Sequence, residues 1–89
     1  MNSQLTDDFI QCFRKLPDMI KQKARKNYRL WKQNPYHPSL EFKEVQSIKP
    51  IYSVRVGIGW RALGIRENDT IIWFWIGSHN YYEKLLRQL

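Results

Sequence analysis

The apolar residues of this 89-residue chain change their spacing near Pro38, from that of a helix to that of a strand. Before this point, four apolar residues recur at intervals of four, four and three, on one helix face: Ile20, Ala24, Tyr28 and Trp31. After it, "IYSVRVGIG" alternates apolar and polar residues, which is the period of a strand with one buried face. The order of the two patterns predicts helices first and an antiparallel sheet second, an α+β fold.

Capping and breaking residues set the limits of the predicted elements. Thr6 can cap a first helix, Pro17 separates it from a second, and "NPYHP" ends the second. Strand patterns follow, and Asn80 with Glu83 resembles a capping box that begins a last helix. We therefore predict one domain over 1–89, in which an αα-hairpin (about 6–34) packs on one face of a three- to four-stranded antiparallel sheet (about 39–79), with a short C-terminal helix (about 80–88).

The last predicted strand, "TIIWFWIGSH", carries large aromatic rings at consecutive positions. Strict alternation predicts that Phe74 faces the helical hairpin, whereas Ile71, Trp73, Trp75 and His79 share the opposite face. If the hairpin covers only one face of the sheet, the indoles line an open aromatic surface that ends at an imidazole. An open aromatic surface on a small domain indicates a binding partner.

The positive charge of the chain is concentrated in one segment. Fifteen Lys and Arg residues against eight Asp and Glu give a net charge of +7. Segment 14–32 contains eight of these cations and a single acidic residue, Asp18, so most of the excess lies on the second predicted helix. Such a cluster attracts a polyanion, which can be nucleic acid, an acidic protein or anionic lipid.

The cysteine and histidine content argues against a disulfide or a metal centre. A single cysteine, Cys12, excludes an internal disulfide and is typical of a reducing cytoplasm. With His37 and His79 it completes the set of Cys and His residues, and their spacing fits no metal site, so we expect no metal and no cofactor. No apolar run approaches the ~20 residues of a membrane-spanning helix. We expect a cytoplasmic protein with no membrane partner.

Basic and aromatic side chains remain as candidates for chemistry. An antiparallel meander can bring Arg55, Arg61, His79 and Tyr82 together on the open face, where we expect Arg61 to be exposed. Arginine binds phosphate bidentately, imidazole transfers protons near neutral pH, and aromatic rings stack on unpaired bases. Each residue also has a structural alternative, as a solvated arginine, a loop histidine bonded to backbone or a tyrosine that packs a helix end.

Three ordered motifs resemble the RelE/ParE superfamily, the bacterial toxins of type II toxin–antitoxin modules. The helical pair ends in "NPYHPSL", which is similar to the family's proline-containing turn into the first strand. "YSVRVG" followed by "WRAL" is similar to its tyrosine, alternating strand and arginine after an aromatic residue. "IGSHNYYEKLL" resembles its last strand, its basic or histidine residue and its tyrosine before a short helix. The resemblance covers the chain from about residue 9.

The resemblance implies one fold with two different activities. RelE-like members bind the ribosomal decoding site and cleave mRNA, whereas ParE-like members poison DNA gyrase and lack the nuclease residues. By position, Arg61 matches the family's phosphate-binding arginine, and Arg55 matches one of a basic pair on the preceding strand. Ser53 stands where the lysine of that pair is often found, which is a departure. His79 matches a C-terminal basic residue and Tyr82 the late tyrosine.

We therefore expect a toxin that is a metal-independent, ribosome-dependent mRNA endoribonuclease, with a cognate antitoxin as its partner. The expected catalytic residues are Arg61, His79, Arg55 and Tyr82. The expected RNA-binding residues are Trp73, Trp75, Tyr81, Lys43 and Arg66. Two alternatives remain open, a non-catalytic DNA gyrase poison of the ParE type and an inactive member that only binds its antitoxin.

Overall fold

A computed structural model describes all 89 residues and shows three helices and five strands. The elements in chain order are β1 (Asn2–Leu5), α1 (Asp7–Arg14), α2 (Asp18–Gln33), a 3-10 turn (Pro38–Leu40), β2 (Lys43–Gln46), β3 (Ile51–Gly57), β4 (Trp60–Glu67), β5 (Thr70–Ser78) and α3 (His79–Gln88). The predicted α+β class is confirmed. None of the three helices is both long enough and apolar enough to cross a membrane.

The five strands form one sheet in the order β1-β5-β4-β3-β2. β2 to β5 make an antiparallel meander, and β1 pairs in parallel with β5, where Asn2 lies opposite Thr70. The sheet thus has one more strand than the largest number predicted from the sequence. β1 was missed because "NSQL" carries one apolar residue and shows no alternation.

Side-chain caps fix where the first and last helices begin. Thr6 Oγ1 accepts a hydrogen bond from the backbone N–H of Phe9 at 3.1 Å, so the predicted cap of α1 is confirmed. α3 is capped by Ser78, whose Oγ accepts from the N–H of Tyr81 at 3.4 Å, and not by the predicted Asn80. This shift makes His79 the first residue of α3.

The main core lies between the helical hairpin and the sheet. Trp31 of α2 is 1% exposed and meets the rings of Trp73 and Phe42 edge to face, with centroid distances of 5.4 and 5.7 Å. Ala24 and Val54 belong to the same cluster. Edge-to-face contacts of this kind stabilise a core by about 0.5–1.5 kcal/mol each beyond the burial of apolar area.

A second, smaller core on the opposite side of the sheet contradicts the predicted open face. Three buried residues form its centre: Ile51, Leu63 and Tyr82. Partly buried apolar side chains of α3 and β5 pack against them: Phe74, Trp75, Leu85, Leu86 and Leu89. The C-terminal helix therefore covers part of the face that the sequence prediction left open.

A β-bulge explains why strict alternation failed in β5. Leu63 pairs with Trp75 and Gly64 pairs with Trp73, so Phe74 is an extra residue that reverses the parity of the strand. Trp73 joins the hairpin-side core and Phe74 the α3-side core, the reverse of the prediction. Gly64 allows this, because a Cβ there would lie 2.9 Å from the Trp73 ring. Ile71, also predicted on the open face, is fully buried in the hairpin-side core.

Candidate active site on the α3 side of the sheet

Two arginines lie side by side on the α3 side of the sheet. Arg55 of β3 is paired with Arg61 of β4 in the antiparallel register. Val54 and Ala62, the neighbours of this pair, face the hairpin and belong to its core, which directs both guanidinium groups to the other side. Like charges directly opposite each other destabilise a sheet, and a counter-charge or a bound anion would relieve the repulsion in this pair.

Arg61 is held by three partners and is not the exposed residue that the sequence analysis expected. It is 7% exposed, donates a hydrogen bond from Nη1 to Ser53 Oγ at 3.2 Å, and forms an ion pair from Nη2 to Glu41 Oε1. Its guanidinium carbon lies 5.5 Å from the centre of the Tyr82 ring. The planar head of Arg61 is thereby fixed in one orientation, the condition for directional recognition of phosphate.

Glu41 is the residue of this site that the sequence analysis missed. Its carboxylate contacts Arg61 through one oxygen and lies 3.8 Å from Arg55 Nη1 through the other. Glu41 has a φ of 45°, a left-handed conformation that is uncommon for a residue other than glycine. It follows the 3-10 turn, and this backbone conformation was invisible in a segment that reads as alternating strand. Non-glycine residues held in this region cluster at functional sites.

His79 and Tyr82 join the site through the first turn of α3. Their ring centroids are 5.5 Å apart, and His79 Nδ1 lies 3.6 Å from Glu83 Oε1. The backbone N–H of His79 donates to the carbonyl oxygen of Gly59 at 2.7 Å, which fixes the start of α3 to the turn between β3 and β4. The imidazole remains half exposed and accessible to a ligand.

Three of the five predicted RNA-binding residues lie near this cluster in the fold. Lys43 pairs with Ser53 and so shares the face of the arginines. The Trp75 ring lies over Gly77, the residue opposite Arg61, since a Cβ at Gly77 would be 2.6 Å from that ring. Tyr81, 68% exposed, is in the first turn of α3.

The other two predicted RNA-binding residues lie elsewhere. Trp73 is 3% exposed in the hairpin-side core, so its predicted place on an open face is wrong. Arg66 is five residues along β4 from Arg61, which puts it on the opposite face, where its Nη1 donates to the hydroxyls of Tyr36 and Tyr52 at 3.3 Å each. These bonds, first that to Tyr36, raise the pKa of Arg66 above its ordinary value.

The residues of the α3 side form a line across β3, β4 and α3. A carboxylate, Glu41, contacts Arg61, whose guanidinium stacks on Tyr82, which in turn contacts the imidazole of His79. A proton acceptor and a second proton-transfer group thus flank a cation that can bind a phosphate. This is the set of groups that acid–base cleavage of a phosphodiester requires.

Solved structures with the same fold are toxins and a toxin–antitoxin complex. A chain of the RelB–RelE antitoxin–toxin complex from Methanococcus jannaschii is 16% identical with a TM-score of 0.73, covering 92% of this chain and 96% of that one. YafQ from E. coli is 15% identical with a TM-score of 0.69, over 91% and 96%. The isolated E. coli RelE toxin is 14% identical with a TM-score of 0.65, over 99% and 98%. At these identities the matches show the fold alone.

The sequence itself matches a family model. The match is to the ParE-like toxin domain and extends over residues 18–84, from the start of α2 into α3. No curated protein matches the chain. Because the family model spans well over half of the sequence and the fold agrees with it, the chain belongs to the RelE/ParE superfamily of toxins.

Proposed function

We propose that this chain is the toxin of a toxin–antitoxin module and cleaves mRNA on the ribosome as a metal-independent endoribonuclease. The observation that carries the proposal is the line of groups on the α3 side, in which a carboxylate and an imidazole flank two adjacent arginines. A domain that only binds a partner needs no such combination of proton-transfer groups around a phosphate-binding cation.

The proposed reaction uses a nucleophile that the substrate supplies. The 2′-oxygen of one ribose attacks the phosphorus of its own 3′-phosphate, and the bond from phosphorus to the 5′-oxygen of the next nucleotide breaks. The 2′-hydroxyl loses its proton to a base, and the departing 5′-oxygen takes a proton from an acid. The products are a 2′,3′-cyclic phosphate and a 5′-hydroxyl end, with no water, metal or cofactor consumed.

Arg61 and Arg55 stabilise the charge that develops on the phosphate. Arg61 does so from a fixed position, since Ser53 and Tyr82 hold its head before the substrate arrives. A preorganised donor of this kind typically contributes about 10²–10³ in rate. Glu41 pairs with both arginines in the free protein and balances only one of their two charges, so the incoming phosphate shares these cations with the carboxylate.

Glu41 is the better general base and His79 the better general acid. Glu41 touches the phosphate-binding cation directly, which puts its carboxylate beside the position of the phosphate and its neighbouring 2′-hydroxyl. His79 lies on the other side of Tyr82, where its half-exposed imidazole can reach the departing 5′-oxygen. Each such group typically contributes about 10²–10⁴ in rate. Tyr81, which is exposed, and the partly buried Trp75 provide rings on which unpaired bases stack, whereas the buried Tyr82 packs on the guanidinium of Arg61.

The ribosome has a clear task in this proposal. Arg55, Glu41 and His79 are only partly covered by the protein, so the protein alone does little to hold a flexible RNA strand in line for attack. Orienting the reacting groups can contribute about 7–11 kcal/mol to lowering a barrier, and here the ribosome supplies that orientation. The activity places the toxin in the cytoplasm, where the ribosomes are.

The proposed partner that controls the toxin is a cognate antitoxin. Two similar structures are antitoxin–toxin complexes, one from Methanococcus jannaschii and one from Pyrococcus horikoshii. The exposed lysines and arginines of α2 favour an acidic segment in such a partner. Trp75, half buried beside the active-site face, is a further contact that an antitoxin can cover.

A non-catalytic gyrase poison is the second candidate, and two observations favour it. The family model that matches describes a ParE-like toxin, and Ser53 replaces the lysine often found beside Arg55 in the nuclease branch. In that case, or if the chain only binds an antitoxin, Glu41 and His79 are dispensable for function.

Inducing the toxin alone and mapping RNA ends on translated messages tests the proposal. We expect new ends within open reading frames for the wild type, and none for a Glu41→Gln, His79→Gln double variant that its melting curve shows to be folded at the assay temperature. Growth arrest without new RNA ends would refute the nuclease, and equal toxicity of the double variant would favour the gyrase poison.

A further inference from the structure

A groove of about 340 Å³ lies between α2 and the turn that joins β3 to β4. Three cations and no acidic residue line it: Lys23, Lys26 and Arg55. Asn27, Ser39 and the backbone of 56–58 complete its walls. Its chemistry is therefore that of a site for an extended anion.

The walls of this groove are fixed to one another. Asn27 Nδ2 donates to the carbonyl oxygen of Val56 at 2.7 Å and to that of Arg55 at 3.3 Å, which ties α2 to β3. Gly57 leaves room for the stem of Lys23, whose Cδ would lie 3.4 Å from a Cβ at that position. The cations are thus presented by a rigid frame.

The charges of the groove are poorly compensated within the chain. Neither Lys23 nor Lys26 forms an ion pair, and Arg55 has only Glu41, at 3.8 Å. Lys23 and Lys26 are three residues apart on one side of α2, where like charges repel. A bound anion removes this repulsion, which adds to its affinity.

We infer that the groove binds the phosphodiester backbone of the RNA strand that is cleaved, next to the scissile phosphate. This inference rests on the proposed function. Arg55 carries it, because this residue lines the groove while its guanidinium pairs with Glu41 on the α3 side. It lies on β3 beyond Ser53, where β2 no longer pairs, so a strand held at Arg61 continues round this edge of the sheet towards Lys23 and Lys26. Lysines contact backbone phosphates, so the groove holds the strand without reading its sequence.

The test measures binding separately from cleavage. The probe is a fluorescent single-stranded 2′-O-methyl oligoribonucleotide, which has no 2′-hydroxyl to attack. A Lys23→Gln, Lys26→Gln variant is compared with a Lys21→Gln, Lys32→Gln variant, which removes two lysines from the other side of the same helix and leaves the groove intact. Melting curves establish that both variants are folded.

The groove variant should lose the salt dependence that two phosphate contacts supply. For single strands each contact contributes about 0.7 to the slope of log K against log[salt], so we expect a decrease of about 1.4 in the groove variant and none in the control. On ribosome-bound message the groove variant should raise KM and leave kcat near the wild-type value. Equal slopes in the two variants would overturn the inference, because RNA binding would then depend on the overall positive charge of the protein and not on the groove.

Three further outcomes separate this inference from the proposed function. If the groove variant loses more affinity for poly-glutamate than for the oligoribonucleotide, the groove recognises acidic protein and the inference fails. If the wild type binds RNA with the expected slope yet never cleaves a message, the nuclease proposal fails and the groove remains an RNA site. If the groove variant cleaves the message with an unchanged KM, the nuclease proposal stands and the inference that the groove binds RNA fails.

Discussion

Replacing Arg61 with lysine changes the central contact of the site while keeping its charge. Lysine cannot reproduce the planar fork that donates to Ser53 and Glu41 while stacking on Tyr82, so at least one of these contacts is lost. A buried hydrogen-bond partner left unsatisfied costs about 1–3 kcal/mol, and the Ser53 hydroxyl is fully buried. We expect Arg61→Lys to lower the free energy of unfolding by about 2 kcal/mol.

The loss of stability and the loss of activity can be measured independently. About 2 kcal/mol corresponds to a decrease in Tm of roughly 8–16 °C for a domain of this size, which a melting curve resolves. Cleavage of a ribosome-bound message at a temperature where the variant is folded should fall about a hundredfold, because one preorganised phosphate contact is weakened. Arg61→Ala is the poorer test, since it also leaves a cavity beside the buried Ser53 and Tyr82 and can unfold the domain.

Ser53→Ala is the matched control for Arg61→Lys. It removes the hydroxyl that Arg61 Nη1 binds, and it keeps the guanidinium and its ion pair with Glu41. We expect a loss of about 1 kcal/mol in stability and cleavage within about tenfold of the wild type. Wild-type cleavage by folded Arg61→Lys, or an equal loss in Ser53→Ala, would refute the assignment of phosphate binding to Arg61.

Three other changes test the rest of the account. Glu41→Gln keeps the shape of the side chain and removes the base, so single-turnover cleavage should fall by about 10²–10⁴ at a temperature where the variant is folded. Its Tm should also fall, because the nearly buried Arg61 loses its carboxylate partner. Full cleavage would assign the role of base to His79. Gly77→Ala should lower the free energy of unfolding by about 1–3 kcal/mol, because a Cβ would lie 2.6 Å from the Trp75 ring. Its control, Gly57→Ala, should melt near the wild-type temperature, because a Cβ there would lie 3.4 Å from a flexible lysine stem. Equal melting temperatures for the two variants would contradict this packing. Trp73→Ala should cost about 3–5 kcal/mol as a core residue, and a small change in Tm would show that it is not in the core.

The helical hairpin could be predicted from sequence because its signals are local. Thr6 and Pro17 mark helix limits, and the stripe from Ile20 to Trp31 has a period that only a helix satisfies. The structure agrees with the predicted helix limits to within a few residues, as expected where capping and periodicity coincide. β1 gave no such signal, since its four residues owe their place to pairing with β5 at a distance in sequence.

The faces of β5 could not be predicted, because a bulge is set by the partner strand. Nothing in "IIWFWI" shows that Phe74 is unpaired, and the glycine that makes room for Trp73 lies on β4, at Gly64. One inserted residue shifts the alternation, so a single alternating pattern cannot fit the residues on both sides of the bulge. The alternation rule therefore misplaced Trp73 and Phe74 while it placed Trp75 on the correct side.

The candidate site could be predicted only in part, because some of its contacts join residues that are far apart in the sequence. Arg55 and Arg61 share a face by simple alternation on adjacent strands, and they were found. Glu41 was missed because its role depends on a left-handed backbone and on contacts 14 and 20 residues away along the chain. A burial prediction for Arg61 would have needed the position of α3, whose Tyr82 covers it.

The chemistry of the RNA ends formed on ribosome-bound message distinguishes attack by the 2′-hydroxyl from attack by water. We expect 5′-hydroxyl and 2′,3′-cyclic phosphate ends with the wild type, and their loss in a folded Glu41→Gln variant. Cleavage that leaves 5′-phosphate ends would contradict this expectation, because the attacking oxygen would then not be the 2′-hydroxyl. The absence of any cleavage by a toxic, folded wild-type protein would contradict the nuclease assignment as a whole.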